Sequence, residues 1–460
     1  MSAGRLFADN ALLPDGWARD VLLAWNEAGA LTSVATASTP PAGATRARGV
    51  LLPGMPNLHS HAFQRAFAGL SEYRSSSGGA DSFWTWRELM YRFALRISPD
   101  QLERIATQVY IEMLRAGYTA VCEFHYLHHD RHGQRYADPA EMSMRLLGAA
   151  QRAGIGITLL PVLYQDAGFG ALPPRADQRR FINSTETLLD IAQRARAHGA
   201  RVGIAPHSLR AVGPQALHEI VAGLHAIDAS APIHLHIAEQ AQEVDECLAW
   251  SGQRPVEWLL THAPVDARWC LVHATHFSAA ERAALAASGA VVGLCPSTEA
   301  NLGDGIFPAA AYLAAGGAWG IGSDSHASVD AAEELRLLEY TQRLAQQRRN
   351  VLVGATQRQL GDRLWLAAVA GGVQASGRAI GGLAIGHQAD FVVLDSASGP
   401  LAGLTPSQAL ASHVFASQGR STVRDVFVAG VQRIQGGEHA LQDAVCESFV
   451  AARGELLREV

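Results

Sequence analysis

The chain has 460 residues, 48% of them hydrophobic and 17% charged, with a formal net charge of −6. That length accommodates one large domain with a small satellite, and the charge gives no electrostatic reason to expect nucleic acid. All 37 cationic residues are Arg, so a Schiff-base lysine, a Walker-type phosphate loop and a carbamylated-lysine bridge between two metals are excluded.

In chain order, residues 1–50 hold short apolar stretches, RLFADNALL, ARDVLLAW and ALTSVAT, separated by Gly, Pro and Asp. They predict strands of a small β-structure. From residue 51 short β-rich runs alternate with segments of helical period, the pattern of βαβ units. The runs are GVLLPGMPNLHSH, YTAVCEFHY, GIGITLLPVLY, RVGIAPHS, PIHLHIAE, RWCLVHATH, AVVGLCPS and AWGIGSDSH. Helices are predicted between them, at SPDQLERIATQVYIEMLRAG, STETLLDIAQRARAHG, SAAERAALAASG and DAAEELRLLEYTQRLAQQ. Ser98, Ser184 and Ser278 fit their N-caps, and Gly117, Gly199 and Gly289 fit helix ends.

Eight strand–helix alternations in about 330 residues predict a closed (β/α)8 TIM barrel rather than an open doubly wound sheet. The stretch EYRSSSGGADSFWTWRELMYR after the first run is too long for a simple connection and reads as a lid or binding loop. Past Ala375 strand-like segments return, GGLAIGHQADFVVLD and STVRDVFVAGVQRIQGG. The expected α/β architecture is a catalytic barrel at 51–382 and a small β-sandwich domain built from 1–50 and 383–460.

The five cysteines, Cys122, Cys247, Cys270, Cys295 and Cys446, are odd in number and lack paired spacing. Neither a disulfide framework nor a cysteine zinc site is expected, and a reducing compartment is the default. Residues 1–20 show no basic segment leading into an apolar core, and no apolar run approaches the ~18 residues of a membrane span. A cytoplasmic protein without membrane contact is the expectation.

His59 and His61 end the first run as HSH. Alternate strand residues share a side, so both imidazoles can face the barrel mouth and bind one metal. About one such pair is expected by chance among 19 histidines in 460 residues. Position therefore decides. Tyr126, His207, His236 with Glu239, His273 and Asp324 fall at the ends of the second, fourth, fifth, sixth and eighth runs. Catalytic groups of this barrel collect at that rim. A core histidine satisfied by hydrogen bonds explains any one of them and strains to explain all five strands.

Within HLHIAEQ, His236 is the rim candidate, whereas His234 lies ~6.6 Å deeper and is assigned to the filled interior. Asp324 in GSDSH lies on the strand adjacent to the first in a closed barrel; Ser325 and His326 are expected to orient its loop. His125, His128, His129 and His132 read mostly as a solvated loop. Three neutral imidazoles and one carboxylate suit zinc, with iron or manganese as alternatives. Such an ion lowers the pKa of water from roughly 15.7 to roughly 7. Asp324 can accept the water proton, His273 can hold the attacking oxygen, and Glu239 can carry a proton to a leaving nitrogen.

PGMPNLHSH, HLHIAEQ, VHATH and GSDSH, followed by GGLAIGHQADFVVLD, resemble the amidohydrolase superfamily across essentially the whole chain. The pairing of His236 with Glu239, without a barrel Lys, resembles its mononuclear deaminase branch. HSHAFQRAFAG, FWTWRELMY, EFHYLHHD, APHSLRAV and GSDSHAS are similar to the N-formimino-L-glutamate deiminase family. That resemblance implies hydrolysis of a formimino C=N to a formyl group with release of ammonia, a step of histidine degradation. It implies one Zn2+ on His59, His61, His236 and Asp324, with Gln64, His207, Glu239 and His273 around the formimino group. Arg87, Tyr126 and Arg210 would hold the glutamate portion, and a homodimer is suggested.

A physical argument stands beside the resemblance. A small dicarboxylate substrate needs cations, and Arg offers bidentate bonding to carboxylate. Arg210 follows His207 by three residues and can reach into the mouth; Arg87 sits in the long stretch after the first run. Two rival readings remain. One is a deaminase of an aromatic base such as guanine, with FWTW stacking on the ring. The other is a non-catalytic barrel that binds a carboxylate, which leaves Glu239 and Asp324 without a role.

Overall fold

Eight short apolar runs, buried on both faces, have to find neighbours on either side, and closing on themselves provides them. The computed structural model describes residues 3–459 except 38, 75–80, 355–356 and 418–420. The first three barrel strands are Met55–Ser60, Tyr118–His125 and Gly156–Leu163, and the fourth is split into Arg201–Val202 and Ala205–Pro206. The fifth to eighth are Ile233–Ile237, Trp269–His273, Val291–Leu294 and Ala318–Ile321. Strands one to four form one parallel set and five to eight another. Bridges Ile204↔Ile233 and Ser208↔His236 join them on one side, and Ser60↔Asp324 closes the ring on the other.

The fourth strand breaks where it meets the fifth. A Cβ on Gly203 would lie 2.2 Å from the carbonyl oxygen of Pro232, so the two backbones approach more closely than any side chain allows. Gly371, on the helix Leu360–Ser376, plays the same part against the eighth strand, where a Cβ would meet the Trp319 carbonyl oxygen at 1.8 Å.

The predicted helices form with the predicted caps. Helices Pro99–Arg115, Thr185–Ala197 and Ala279–Ser288 begin after Ser98, Ser184 and Ser278. Each serine oxygen accepts a first-turn backbone N–H at 3.2 Å, and Gly117, Gly199 and Gly289 take positive φ at the ends.

The expected long loop departs from its prediction. Residues 75–80 of it lie outside the described residues. Phe83–Ala94 is an α-helix capped by Ser82. Phe83, Trp86, Met90 and Phe93 recur at helical spacing, which the preceding Ser/Gly run obscured. Arg87 therefore projects from a helix, not a loop.

The two ends of the chain meet in one nine-stranded sheet. Gly49–Pro53 lies between Gly4–Leu13 and Phe391–Asp395, with Leu51 opposite Val393. Leu51, Phe391 and Val393 face a separate apolar cluster, while Val50, Leu52, Val392 and Leu394 join the barrel core. This period of two is what a sheet with two buried faces requires. The barrel proper begins at Met55, so 51–53 belong to the sheet; both segments are apolar, and no polarity change marks the handover. Two helices, Pro406–Ala416 and Gln442–Glu459, lie within 383–460, where only strands are expected, at GGLAIGHQADFVVLD and STVRDVFVAGVQRIQGG. The second buries Val445, Phe449, Ala452 and Leu456, and Gln101 of helix Pro99–Arg115 donates to Glu455 at 2.9 Å.

Among the described residues no helix is long and apolar enough to cross a membrane. Cys122, Cys247, Cys270 and Cys295 are buried and free, and Cys446 is exposed.

A polar network behind the first strand holds the barrel closure. Asn57 donates to Ser323 Oγ at 2.6 Å and accepts from the Ser323 backbone N–H at 3.1 Å. Ser323 Oγ lies 3.1 Å from His326 Nδ1, and His326 Nε2 lies 3.2 Å from Ser60 Oγ. Ser60 Oγ is 2.6 Å from Glu123 Oε2, while Glu123 Oε1 accepts the Ala62 backbone N–H at 2.7 Å. Burial pushes Glu123 up to about 8, against these hydrogen bonds.

Because that value lies above the ordinary 4.5, the folded chain keeps a proton that the unfolded chain releases. The stabilising contribution is complete below pH 4.5 and fades as pH rises towards 8. Glu123→Gln mimics the protonated acid. Its stability relative to wild type is expected to rise across this window by up to ~1.4 kcal/mol per pH unit, read from denaturant unfolding at several pH values. A constant difference would mean that Glu123 is ionised in the fold.

Candidate functional site

The first strand delivers His59 and His61 to one side and turns Ser60 to the other, as a period of two requires. The backbone N–H of His61 donates to the Asp324 carbonyl at 3.1 Å, and that of Asp324 to the His59 carbonyl at 3.0 Å. This pairing sets the Asp324 side chain beside the two imidazoles. At the other seam the His236 N–H donates to the His207 carbonyl at 3.0 Å. Ala238, His273, Ala274, Asp324 and His326 all hold positive φ, between 46° and 70°. Left-handed backbone in non-glycine residues costs about 1–3 kcal/mol each and gathers at functional sites.

His59, His61, His236 and Asp324 aim one atom each at a common point. His59 Nε2 lies 3.2 Å from His61 Nε2 and 2.9 Å from His236 Nε2. Asp324 Oδ1 lies 3.5 Å from His59 Nε2 and 3.3 Å from His61 Nε2. His61 Nδ1 is 2.8 Å from the Phe124 carbonyl and His236 Nδ1 is 3.2 Å from that of His207. A carbonyl accepts only, so Nδ1 carries the proton in both rings and Nε2 presents a lone pair. Burial depresses all three imidazoles, His59 to about 3. Burial alone would raise Asp324, but His59 and His61 hold it well below the usual carboxylate range.

Neutral imidazoles with converging lone pairs and an ionised carboxylate fit a divalent cation. Metal–nitrogen bonds of ~2.0–2.1 Å in a tetrahedron place donor atoms ~3.3 Å apart, close to the spacing found. His234 stands apart. Its Nε2 donates to the Ala375 carbonyl at 2.8 Å in the barrel floor.

Beside this cluster stands His273. Its Nε2 lies 3.8 Å from Glu239 and 3.7 Å from Asp324 Oδ2. Its Nδ1 lies 3.3 Å from Glu299 Oε1, which also accepts the Cys295 backbone N–H at 2.9 Å. Burial opposes charge on His273, yet Glu239, Glu299 and Asp324 together lift its pKa above the usual value. Burial likewise raises Glu239, with Asp324 adding to it and His273 and Arg210 opposing. Two carboxylates pulled in opposite directions, around one imidazole, is the arrangement proton transfer needs.

Sequence reasoning missed Glu299 because it placed no functional group after the seventh strand. Its signal was a carboxylate four residues past Cys295. Glu243 was missed too. It accepts the Ala238 and Glu239 backbone N–H groups at 3.2 Å each and holds that turn.

One pocket is lined by His61, Gln64, Arg87, Tyr126, His207, Arg210, His236, Glu239, His273 and Asp324, with His59 fully buried behind it. Gln64 donates to the Tyr126 hydroxyl at 2.8 Å and leaves its buried Oε1 without a partner. His207 Nδ1 lies 3.1 Å from Ser208 Oγ, and burial and Arg210 push the ring well below its ordinary pKa. Arg210 is buried. Burial opposes its charge, but Glu243, Tyr164 and Glu239 outweigh that effect.

The guanidiniums of Arg87 and Arg210 lie 4.4 and 5.8 Å from the Trp84 ring. No described carboxylate forms an ion pair with either, and the Nε atom of each is buried without a partner. Tyr91 and Tyr164, unforeseen in the sequence, line the same wall; Gln178 donates to their hydroxyls at 3.3 and 2.9 Å.

The histidines beyond the second strand are not a solvated loop. His125, His128 and His129 are buried, with His128 and His129 bonded to the carbonyls of Val162 and Ile182 at 3.0 and 2.8 Å. Only His132 of that group is exposed. The carbonyls of the neighbouring strand and loop supply the partners, and their approach is invisible along the chain.

Purified protein is expected to carry about one tightly bound metal equivalent, lost in His236→Ala. His234→Ala is expected to keep the metal and lower the melting temperature. Equal metal loss in both variants would move His234 into the ligand set. Glu299→Gln preserves volume but offers His273 an amide. Turnover is expected to fall ~10²-fold or more with metal content and KM nearly unchanged; an unaltered kcat would leave Glu299 a purely structural part.

The sequence model of the amidohydrolase family matches residues 50–433. The chain is 54% identical to the formimidoylglutamate deiminase of Pseudomonas aeruginosa over 456 residues, 98% of this chain and 99% of the relative. It is 32% identical to the 8-oxoguanine deaminase of the same organism over 318 residues, 65% of each chain. Among solved structures it is similar to an amidohydrolase from Brucella melitensis, with 47% identity and a TM-score of 0.91 over 99% of this chain and 100% of that one. An adenosine deaminase from Xanthomonas campestris with bound zinc shares the fold at 22% identity, with a TM-score of 0.80 over 99% and 98% of the two chains. The match over most of the length, joined to the strand-end His/Asp cluster, carries one conclusion: this chain belongs to the amidohydrolase family.

Proposed function

We propose that the chain hydrolyses N-formimino-L-glutamate to N-formyl-L-glutamate and ammonia, using one zinc ion held by His59, His61, His236 and Asp324. The observation that carries the substrate is the pair of guanidiniums, Arg87 and Arg210, that line one pocket with the His/Asp cluster and form no ion pair with a carboxylate among the described residues. Two guanidiniums without a direct ion-pair partner in the pocket suit an anionic ligand. Similarity along nearly the whole chain to a relative named formimidoylglutamate deiminase supports the same substrate.

When bound, the metal supplies the charge that makes water acidic enough to attack near neutral pH. The chain's own residues do the rest. Asp324 and His273 face each other at 3.7 Å; Asp324 takes the proton of the attacking water, and His273 holds the oxygen by a hydrogen bond. Glu299 fixes the ring so that Nε2, not Nδ1, points to the reaction. Glu239 delivers protons to the former imino nitrogen, which leaves as ammonia while the carbon keeps the water oxygen. His207 and Gln64 bond the formimino group, and Arg87, Arg210 and Tyr126 hold the carboxylates. The reading extends to a cytoplasmic enzyme of histidine degradation and, by the same resemblance, to a homodimer. The buried free cysteines suit a reducing compartment.

Ammonia release from N-formimino-L-glutamate is the direct test. Arg210→Met is expected to keep the metal and lower kcat/KM by ~1.5–3 kcal/mol, roughly ten- to a hundredfold or somewhat more. A formimino compound lacking the side-chain carboxylate is expected to be poor with wild type and nearly indifferent to the substitution. Equal losses on both compounds would assign Arg210 to support of His207. Deamination of guanine without turnover of formiminoglutamate would overturn the substrate while leaving the barrel and its ligands in place.

A further inference from the structure

Asp324 presents its two carboxylate oxygens in different directions. Oδ1 faces His59 and His61 at 3.5 and 3.3 Å, and Oδ2 faces His273 Nε2 at 3.7 Å. Near His273 and Asp324 lies the thiol of Cys295, the residue that follows the seventh strand. A ring nitrogen of His273, Cys295 Sγ and an Asp324 oxygen all lie within 4.8 Å of one another. All three residues are buried, and among the described residues the Cys295 thiol has no hydrogen-bond partner.

Charge favours a cation here. Glu239 and Glu299 flank His273 at 3.8 and 3.3 Å and add to the charge of Asp324. A nitrogen, a sulfur and an oxygen donor select borderline to soft ions, zinc or cadmium, over magnesium or calcium. The pocket that leads to the resident cluster is lined by His273 and Asp324, and Cys295 lies fully buried next to them.

We propose that His273, Cys295 and Asp324 form a second, weaker site for a thiophilic divalent cation, which inhibits the enzyme by sharing Asp324 and taking His273 out of the reaction. The inference rests on the reading of His59, His61, His236 and Asp324 as the resident metal site. Binding exchanges the thiol proton for the ion: the sulfur–hydrogen bond breaks, a sulfur–metal bond forms, and one proton passes to solvent. Three protein ligands with one shared carboxylate make this site weaker than the resident one.

The test uses zinc-replete full-length protein carrying Cys446→Ser, which removes the exposed thiol. Cadmium chloride is titrated in, and bound metals, the ultraviolet thiolate-to-cadmium charge-transfer band and ammonia release are followed together. One added cadmium per chain is expected with zinc retained, accompanied by the band and by a loss of turnover of roughly tenfold or more that a brief chelator wash reverses. Adding Cys295→Ser or Cys295→Ala is expected to preserve the resident zinc and basal turnover, abolish the band, and raise the inhibiting cadmium concentration roughly tenfold or more.

Cadmium X-ray absorption on the protein with Cys295 intact is expected to show one sulfur beside nitrogen or oxygen neighbours. A shell without sulfur, no second equivalent, or equal inhibition with and without Cys295 would overturn the proposal. Absence of any tight metal before the titration would instead remove the resident-site reading on which it rests.

Discussion

Three buried imidazoles and a buried carboxylate point at one another in an arrangement that could hold one small cation, and the rest of the rim is built around it. Nε2 atoms at 2.9 and 3.2 Å are poor company unless something positive lies between their lone pairs. The backbone carbonyls of Phe124 and His207 decide which nitrogen is free for that task. The four residues come from the first, fifth and eighth strands or the turns just past them, so the cluster exists only in a closed ring. Forming a cluster that could hold a metal and closing the barrel are one structural event.

Precision at this site is supported from behind. The chain Asn57, Ser323, His326, Ser60 and Glu123 ties the eighth strand through the first to the second. It surrounds the HSH segment with groups that are all bonded, and a fully satisfied buried network of this kind holds rotamers within a narrow range. Strained backbone at Ala238, His273 and Asp324 is compatible with that picture. Left-handed residues persist where their surroundings over-determine them, and here each ends a strand whose neighbours are already locked.

The pocket divides charge between two walls. Carboxylates crowd His273 and the His/Asp cluster, whereas Arg87 and Arg210 line the same pocket within 4.4 and 5.8 Å of the Trp84 ring. The two guanidiniums would repel each other, and the indole ring near both offers partial negative charge. Under the proposed function, these guanidiniums would bind a ligand's anionic end and orient it before any chemistry begins.

The barrel, the serine caps, the HSH pair and the order of the rim residues are all legible in the sequence itself. Each of these is a local pattern: strand alternation, helical period, or a polar residue at the end of an apolar run. It also separated His236 from His234, because two strand residues differ in depth by a known amount. What it left undetermined depends on chain segments far apart. The small sheet takes Gly49–Pro53 rather than leaving it to the barrel because Phe391–Asp395 lies beside it. Arg87 sits on a helix because its apolar face finds a core to cover. His128 and His129 are buried because distant carbonyls accept from them. Glu299 matters only because the seventh strand brings it 3.3 Å from a histidine of the sixth. Periodicity encodes which side of an element is apolar; only tertiary packing decides what that side, and every polar group near it, will meet.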